Sequence, residues 1–183
     1  MNINDRRVRR TKKLLQAGLV ELMLEKDLRK ITVRELTDKV DIHRATFYAH
    51  YTDVYDLYEQ MEQAVLEELS AMLVSAHAYD GVYQNIIEYI QNNAKLSQLL
   101  LNKKLGFYDR LSAFLEEKYI EIILFETGLE TLPEEWKYFV SYHMHGCLAI
   151  ISRWAKEGFV YPKEKIIKGI ERLDENAEGL ALV

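Results

Sequence analysis

Apolar positions along the chain fall at three- and four-residue steps, the spacing of one face of an α-helix, and divide it into a series of amphipathic helices. The spacing predicts a first helix over residues 5–26, with Leu14, Leu15, Ala17, Gly18 and Leu22 on its stripe. Asp27 ends it, and Leu28 and Ile31 return to the core. Thr32 followed three residues later by Glu35 is a capping box, so a second helix starts at Val33, with Val33, Leu36, Thr37 and Val40 on one face. Asp41 and Ile42 form a tight turn. His43 then caps a third helix reaching about Tyr51, whose Phe47 and Tyr51 lie one turn apart and pack inward with Ile42. Asp53 is the expected N-cap of a fourth helix, about residues 54–76, with Leu57, Met61, Ala64, Val65, Leu69 and Met72 on its stripe.

The remainder repeats the theme. Asp80 is placed to cap a helix to Asn93, with Val82, Ile86, Tyr89 and Ile90 inward; a short piece spans 94–102, and Gly106 breaks the pattern. A helix over 107–125 ends in YIEIILF, which has strand propensity but no partner strand, so helix is expected there too. After a loop at 126–132, Thr131 and Glu134 read as a second capping box, with Pro133 in the first turn. They launch a long helix over 133–157, closed by Gly158. Pro162 opens the last helix, with Ile166, Ile167, Ile170 and Leu173 on its stripe. The fold class is therefore all-α. An N-terminal three-helix helix-turn-helix domain, residues 6–66 with its helix-turn-helix at 32–51, is joined by the fourth helix to a C-terminal helical dimerisation and ligand domain, residues 67–183. Nothing Gly/Ser-rich separates them, so a helical connection is expected.

Composition sharpens this picture at two points. Two prolines and eight glycines in 183 residues suit helices, and one cysteine excludes an intramolecular disulfide. The net charge of −5 hides an asymmetry: residues 1–51 hold 12 Lys/Arg against 7 Asp/Glu, whereas the rest holds 12 against 22. A basic third on an acidic body points to a polyanion partner for that third alone. The opening MNINDRRVRR has no apolar signal region and no apolar run approaches the roughly 18 residues that cross a bilayer, so a cytoplasmic protein without membrane contact is expected.

The third helix carries the most specific chemistry. Ala45 and Ala49 lie opposite the inward Phe47 and Tyr51, where methyl-sized side chains let the backbone approach base edges, and Arg44, Thr46, Tyr48 and His50 flank them as donors. The basic arm ahead of it, Arg6, Arg7, Arg9, Arg10, Lys12 and Lys13, is suited to phosphate or minor-groove contact, Arg10 being the candidate taken forward. In the C-terminal half, Tyr83, Tyr89, Phe107, Tyr119, Trp136, Phe139, Tyr142 and His143 are the expected lining of a ligand pocket. The two late helices are apolar over more than one face, and Gly146, Ala149, Ile150, Trp154, Ile166 and Ile170 are the expected interface of a two-copy four-helix bundle.

Enzyme motifs are missing from the sequence: no Gly-rich phosphate loop, no Cys pair, no HExxH and no nucleophile elbow. His143 and His145 lie about 200° apart around a helix and cannot face one metal. His143 and Cys147, one turn apart, read as a packed thiol beside an imidazole, a metal or activated-thiol pair being the alternative. No metal or cofactor is expected. A helical adaptor that binds only proteins is the rival of a different class, and the basic arm and base-facing alanines argue against it.

With those residues in place, the stretch from Arg6 to about Gln60 resembles the tetracycline-repressor (TetR) family of bacterial regulators: RRTKKLLQAGLVELMLEKDL, ITVRELTDKVDI and HRATFYAHYTDVYDLY carry the match. YFVSYHMHGCLAIISRWAKEGF is similar to the regulatory half of a branch common in Gram-positive bacteria. The resemblance implies a homodimeric, DNA-binding transcription regulator, a repressor on a palindromic operator, released by a small-molecule effector of unknown identity; an activator of the same fold is the alternative. It implies phosphate contacts from Thr32, Arg34, His43, Thr46, Tyr48 and His50, base reading by Arg44, and groove-floor contact by Ala45. The chain departs from the family pattern at Asp27 and Asp41, where glycine is usual, and at Val54, where a phosphate-binding lysine is usual. Both aspartates are expected to tolerate a left-handed backbone.

Overall fold

The computed structural model describes residues 3–75, 82–101 and 106–181. It is all-α among those residues and divides into two compact units, Met1–Val65 and Leu66–Val183. The first unit contains α1 (Ile3–Glu25), a 3-10 turn (Leu28–Lys30), α2 (Val33–Lys39), α3 (Arg44–Tyr48) and the first half of α4 (Val54–Ser75). The second contains the rest of α4, then α5 (Val82–Asn92), α6 (Ala94–Leu100), α7 (Phe107–Thr127), α8 (Glu134–Lys156) and α9 (Lys163–Ala181). No helix among the described residues is long and apolar enough to cross a membrane.

Local chemistry sets the boundaries of the short helices in the first unit. Thr32 Oγ1 accepts the Glu35 N–H at 3.2 Å, satisfying one of the orphan donors at the start of α2. The Glu35 carboxylate is taken by Lys26, the residue after the end of α1, which ties the end of that helix to α2. Asp41 stands at φ 52°, the left-handed conformation expected of it, and turns the chain so that the Ile42 N–H reaches Thr37 O at 3.0 Å. His43 Nδ1 accepts the Ala45 N–H at 3.2 Å and starts α3, and Asp53 Oδ1 accepts the Asp56 N–H at 2.9 Å at the start of α4.

Three expectations for this unit are corrected. The buried stripe of α1 is Leu15, Gly18, Leu19, Leu22 and Met23, while Leu14 is 42 % exposed and Ala17 is also at the surface. In a run of two leucines the stripe can follow either residue; here Leu15 is buried, and Leu36 of α2 and Val40 just after it pack onto Gly18 so closely that a Cβ there would meet Val40 Cγ1 at 2.3 Å. α3 ends at Tyr48 rather than Tyr51, because the His50 N–H turns back to Phe47 O in a tightened last turn. Asp27 is not left-handed: at φ −62° and ψ 140° it is extended and caps the 3-10 turn through the Arg29 N–H at 2.9 Å.

In the second unit the core runs along one side of α8, with Val140, His143, Met144, Cys147, Leu148, Ile151, Trp154 and Ala155 buried. Trp154 stacks edge-on against Phe159 at 4.9 Å and donates its Nε1–H to Tyr161 O at 2.7 Å, so the α8–α9 turn is wrapped around one indole. Gln98 of α6 donates to Ala155 O at 2.9 Å, and Lys163 of α9 pairs with Glu88 of α5 at 2.9 Å. Here too the structure corrects the sequence reading. Thr131 caps nothing, because Pro133 is itself the N-cap of α8 and makes no side-chain cap bond. α7 continues to Thr127 before Gly128, at φ 68°, ends it. α6 stops at Leu100, and on α9 Ile167 and Ile170 are buried whereas Leu173 is half exposed. The capping role expected of Asp80 lies outside the described residues.

Candidate nucleic-acid interface and the interior of the C-terminal unit

α3 is only five residues long, and its two sides differ completely. Phe47 and Tyr51 are buried, with ring centroids 5.6 Å apart, and anchor the segment on the core of the first unit. Arg44, Ala45, Tyr48 and Ala49 are exposed, Thr46 and His50 are half-buried, and His43 is exposed at the turn. Tyr48 stands edge-on against Phe47 at 5.5 Å while the residue is 58 % exposed, so it is held from one side and open on the other. The structure therefore gathers His43, Arg44, Ala45, Thr46, Tyr48 and His50 on one short segment. Thr32 and Arg34 are exposed at the start of α2, where Arg34 makes only a loose surface pair with Asp38 at 3.6 Å. Arg10 is exposed on α1.

The start of α4 differs from the family pattern in a way the structure explains. Val54 is buried, so it contributes to the core and offers the surface no charge. Asp56 sits in the first turn of the helix, its carboxyl held below the usual carboxylate range by the Thr52 N–H, then by Gln60 and the Thr52 hydroxyl, with Lys12 nearby. Lys12 itself lies 5.7 Å over the Tyr51 ring. Asp27, at the surface, is held down at about 2 by the Arg29 side chain, then by the Arg29 N–H.

The second unit turns its polar chemistry inward. Of the residues expected to line a pocket, Tyr83, Tyr119 and His143 come together: Tyr83 Oη is 3.3 Å from His143 Nε2, and the Tyr119 ring stacks on the imidazole at 5.1 Å. Tyr89 is half-buried, its hydroxyl pushed up by burial and then by the neighbouring Glu68. Phe107 is buried, and Trp136 packs against the small cluster of Leu132, Val140 and Met144. Phe139 and Tyr142 do not join this interior. They lie on the opposite side of α8, at 41 % and 76 % exposure, because positions 139 and 142 fall about half a turn from the buried row that includes Val140 and Met144.

The surface expected to meet a second copy is corrected in the same way. Gly146, Ile150 and Ile166 are half-buried and Ala149 is exposed, but Trp154 and Ile170 are buried inside the chain and have no surface to offer. The outer face of α8 instead carries Tyr138, Phe139, Tyr142 and Ala149, and a Cβ added at Gly146 would meet nothing within 4 Å. Tyr138 was not among the residues singled out, although its place four residues before Tyr142 is visible in the sequence. Also missed was a polar bridge between α7 and α8: His145 Nε2 lies 3.1 Å from Ser112 Oγ, and its Nδ1 lies 3.2 Å from Glu116 Oε1. Paired spacings of four, Ser112 with Glu116 and Ser141 with His145, are its only signal in the sequence. His143 and His145 thus face different neighbours, as their separation around the helix requires.

A family model described as a TetR-type transcriptional regulator C-terminal region matches residues 78–176. The uncharacterized HTH-type transcriptional regulator YxbF of Bacillus subtilis (strain 168) is 29 % identical over 143 residues, 77 % of this chain. The chain spans about a third of the length of that curated relative. Among solved structures, the dihydroxyacetone kinase operon activator DhaS is similar with a TM-score of 0.67 and 17 % identity, over 89 % of this chain and 93 % of that one. A TetR-family regulator from Syntrophomonas wolfei str. Goettingen is similar with a TM-score of 0.68 and 16 % identity, over 96 % of each chain. At these identities the structural likeness speaks to the fold alone.

Proposed function

The chain belongs to the TetR family of transcriptional regulators, and we propose that it acts as a homodimer that reads a palindromic DNA operator through α3 and represses by occupying it. The observation that carries this reading is the two-sidedness of α3: Phe47 and Tyr51 fix the segment from beneath, while Arg44, Ala45, Tyr48 and Ala49 stand free on the outside. Arg44 is the base reader, since a guanidinium fork pairs two acceptors on a guanine edge. Ala45 meets the groove floor. Thr32, Arg34, His43, Thr46, Tyr48 and His50 hold phosphates, and Arg10 extends the contact along the backbone.

Dimerisation is assigned to the outer face of α8, where Tyr138, Phe139 and Tyr142 are exposed and Gly146 and Ala149 allow close approach, with Ile150 and Ile166 at its edge. A palindromic site read by two copies has its half-sites about one DNA turn apart, or a multiple of it. An effector that binds the second unit better in one arrangement than the other shifts the balance toward release, by no more than that difference in affinity. Activation is the second reading, favoured by the name of the activator DhaS among the similar structures.

Selection of binding sites from random duplexes by the purified protein tests the reading. A two-fold symmetric site is expected, and a reporter gene placed behind it should fall in expression when the protein is present. Enrichment of no sequence at all would remove the operator-reading role, and rising expression would replace repression by activation.

A further inference from the structure

α3 begins on a cap of an uncommon kind. Its N-cap is His43, in extended backbone at φ −67° and ψ 140°, and the ring Nδ1 accepts the Ala45 N–H at 3.2 Å. The next two donors have a backbone partner: the Thr46 N–H reaches His43 O at 2.8 Å and the Phe47 N–H reaches it at 3.3 Å. Of these three, only Ala45 depends on a side chain. Helix caps are ordinarily Ser, Thr, Asp or Asn, whose oxygens accept throughout the neutral range. An imidazole accepts only while Nδ1 is bare, with the ring hydrogen on Nε2, and histidine is the side chain that takes up a proton between about pH 5 and 8. His43 is exposed, and among the described residues its side chain makes no other hydrogen bond.

The charged groups of the elements around α3 are engaged elsewhere. On α2, Arg34 pairs with Asp38, Lys39 with Glu21 of α1, and Glu35 with Lys26. Lys12 of α1 lies over the Tyr51 ring, and Asp53 and Asp56 are taken up in the cap of α4. Asp41 in the preceding turn, with Arg44, Tyr48 and His50 after it, are the charged or titratable neighbours within the segment itself.

We propose that His43 is the positioning residue of the DNA-reading segment: it caps α3 as the neutral Nε2–H imidazole and releases it on taking up a proton, so that operator affinity falls in acid. This rests on the operator reading above. A proton on Nδ1 sets two donors against each other, so the ring turns away and the Ala45 N–H is left to water. The added charge also stands at the positive end of the helix. With five residues, α3 has little more than one turn to hold it. The two residues that loosen first are Arg44 and Ala45, the base reader and its neighbour on the groove floor. The neutral ring still has an Nε2–H for a phosphate oxygen, so capping and phosphate contact are compatible. A histidine that touched phosphate alone would behave in the opposite sense, since added positive charge raises affinity for a polyanion. The sign of the pH dependence therefore separates the two roles, most cleanly in moderate salt, where an exposed charge is screened.

The test follows two signals between about pH 7.5 and 5.5. In isotope-labelled protein without DNA, the Ala45 amide resonance should move together with the His43 ring resonance. It should stay still in His43→Asn, whose side-chain oxygen caps without titrating. On the duplex selected from random sequence, at about 0.2 M salt, the native protein should lose about fivefold more affinity across that range than His43→Asn does. Both proteins keep His50, so its contribution cancels in the ratio. His43→Ala, checked for native helicity by circular dichroism, should bind weakly throughout and share the pH profile of His43→Asn. An Ala45 amide that ignores the His43 ring would overturn the capping role. An affinity ratio that stays level or rises toward acid would overturn the positioning role. Selection of no duplex by a protein whose Ala45 amide does titrate would overturn the operator reading and the effect on affinity with it. The cap is read without DNA, so the two failures are distinguishable.

Discussion

The two units solve opposite problems with the same helical material. In the first, the interior is mostly aliphatic and aromatic, with Thr37 and Glu62 as its buried polar residues, and the candidate chemistry stands outside: Arg44, Tyr48 and their neighbours are held from below by Phe47 and Tyr51. In the second, imidazole, thiol and phenol groups are folded inside or bridged between helices, and large rings such as Tyr138 and Tyr142 are left on the surface. On the proposed reading the first unit meets a hydrated polyanion and keeps its donors wet, whereas the second meets another copy or a small molecule and turns polar groups inward.

Truncating the frame should break this contrast most severely. Phe47→Ala removes a fully buried ring and should destabilise the first unit by about 3–5 kcal/mol, read as early loss of amide protection in residues 33–58 while α8 stays protected. Equal loss in both units would show that their stabilities are not separate. Arg44→Ala should leave amide protection unchanged and cost about 1–3 kcal/mol of operator affinity, with selectivity relaxed at one base pair of each half-site. An unchanged gel-shift affinity would remove Arg44 from base reading.

On the other side of the comparison, Tyr142→Ser should weaken self-association by about 1–2 kcal/mol, seen as a monomer fraction in sedimentation velocity, with helicity intact. Loss of helicity instead would mean the ring is structural despite its exposure. The smallest effect belongs to the exposed Asp27–Arg29 clamp. The folded carboxyl, at about 2, lies below its ordinary 3.8, so its contribution is present above about pH 3.8 and fades as pH falls toward 2. Asp27→Asn should flatten the stability profile in that window only, in acid titrations followed by circular dichroism.

What was legible in the sequence is what local chemistry decides. Thr32, His43 and Asp53 cap the helices they precede, and Phe47 and Tyr51 point inward, because each rests on residues a few positions away. The phase of α1 was ambiguous between Leu14 and Leu15, because Gly18 and Leu22 lie within a helix face of either one. Thr131 and Glu134 have capping spacing, but Pro133 between them takes the cap position itself. The faces of α8 were the least legible. Trp154 lies on the same row as Val140, Cys147 and Ile151 and Tyr142 on the opposite side, but which row faces inward is set by packing against α6 and α9, with the α8–α9 turn closing over the indole. The contact of Tyr83 with His143 spans 60 positions, a distance that periodicity does not reach.

The placement of Trp154 has a practical corollary. Both tryptophans of the chain, Trp136 and Trp154, belong to the second unit, and Trp154 is clamped by a ring and a carbonyl. Light absorbed at the red edge of the indole band therefore excites that unit alone. Its emission maximum is a built-in gauge of how the α8–α9 turn is seated, with the first unit spectroscopically silent in the background.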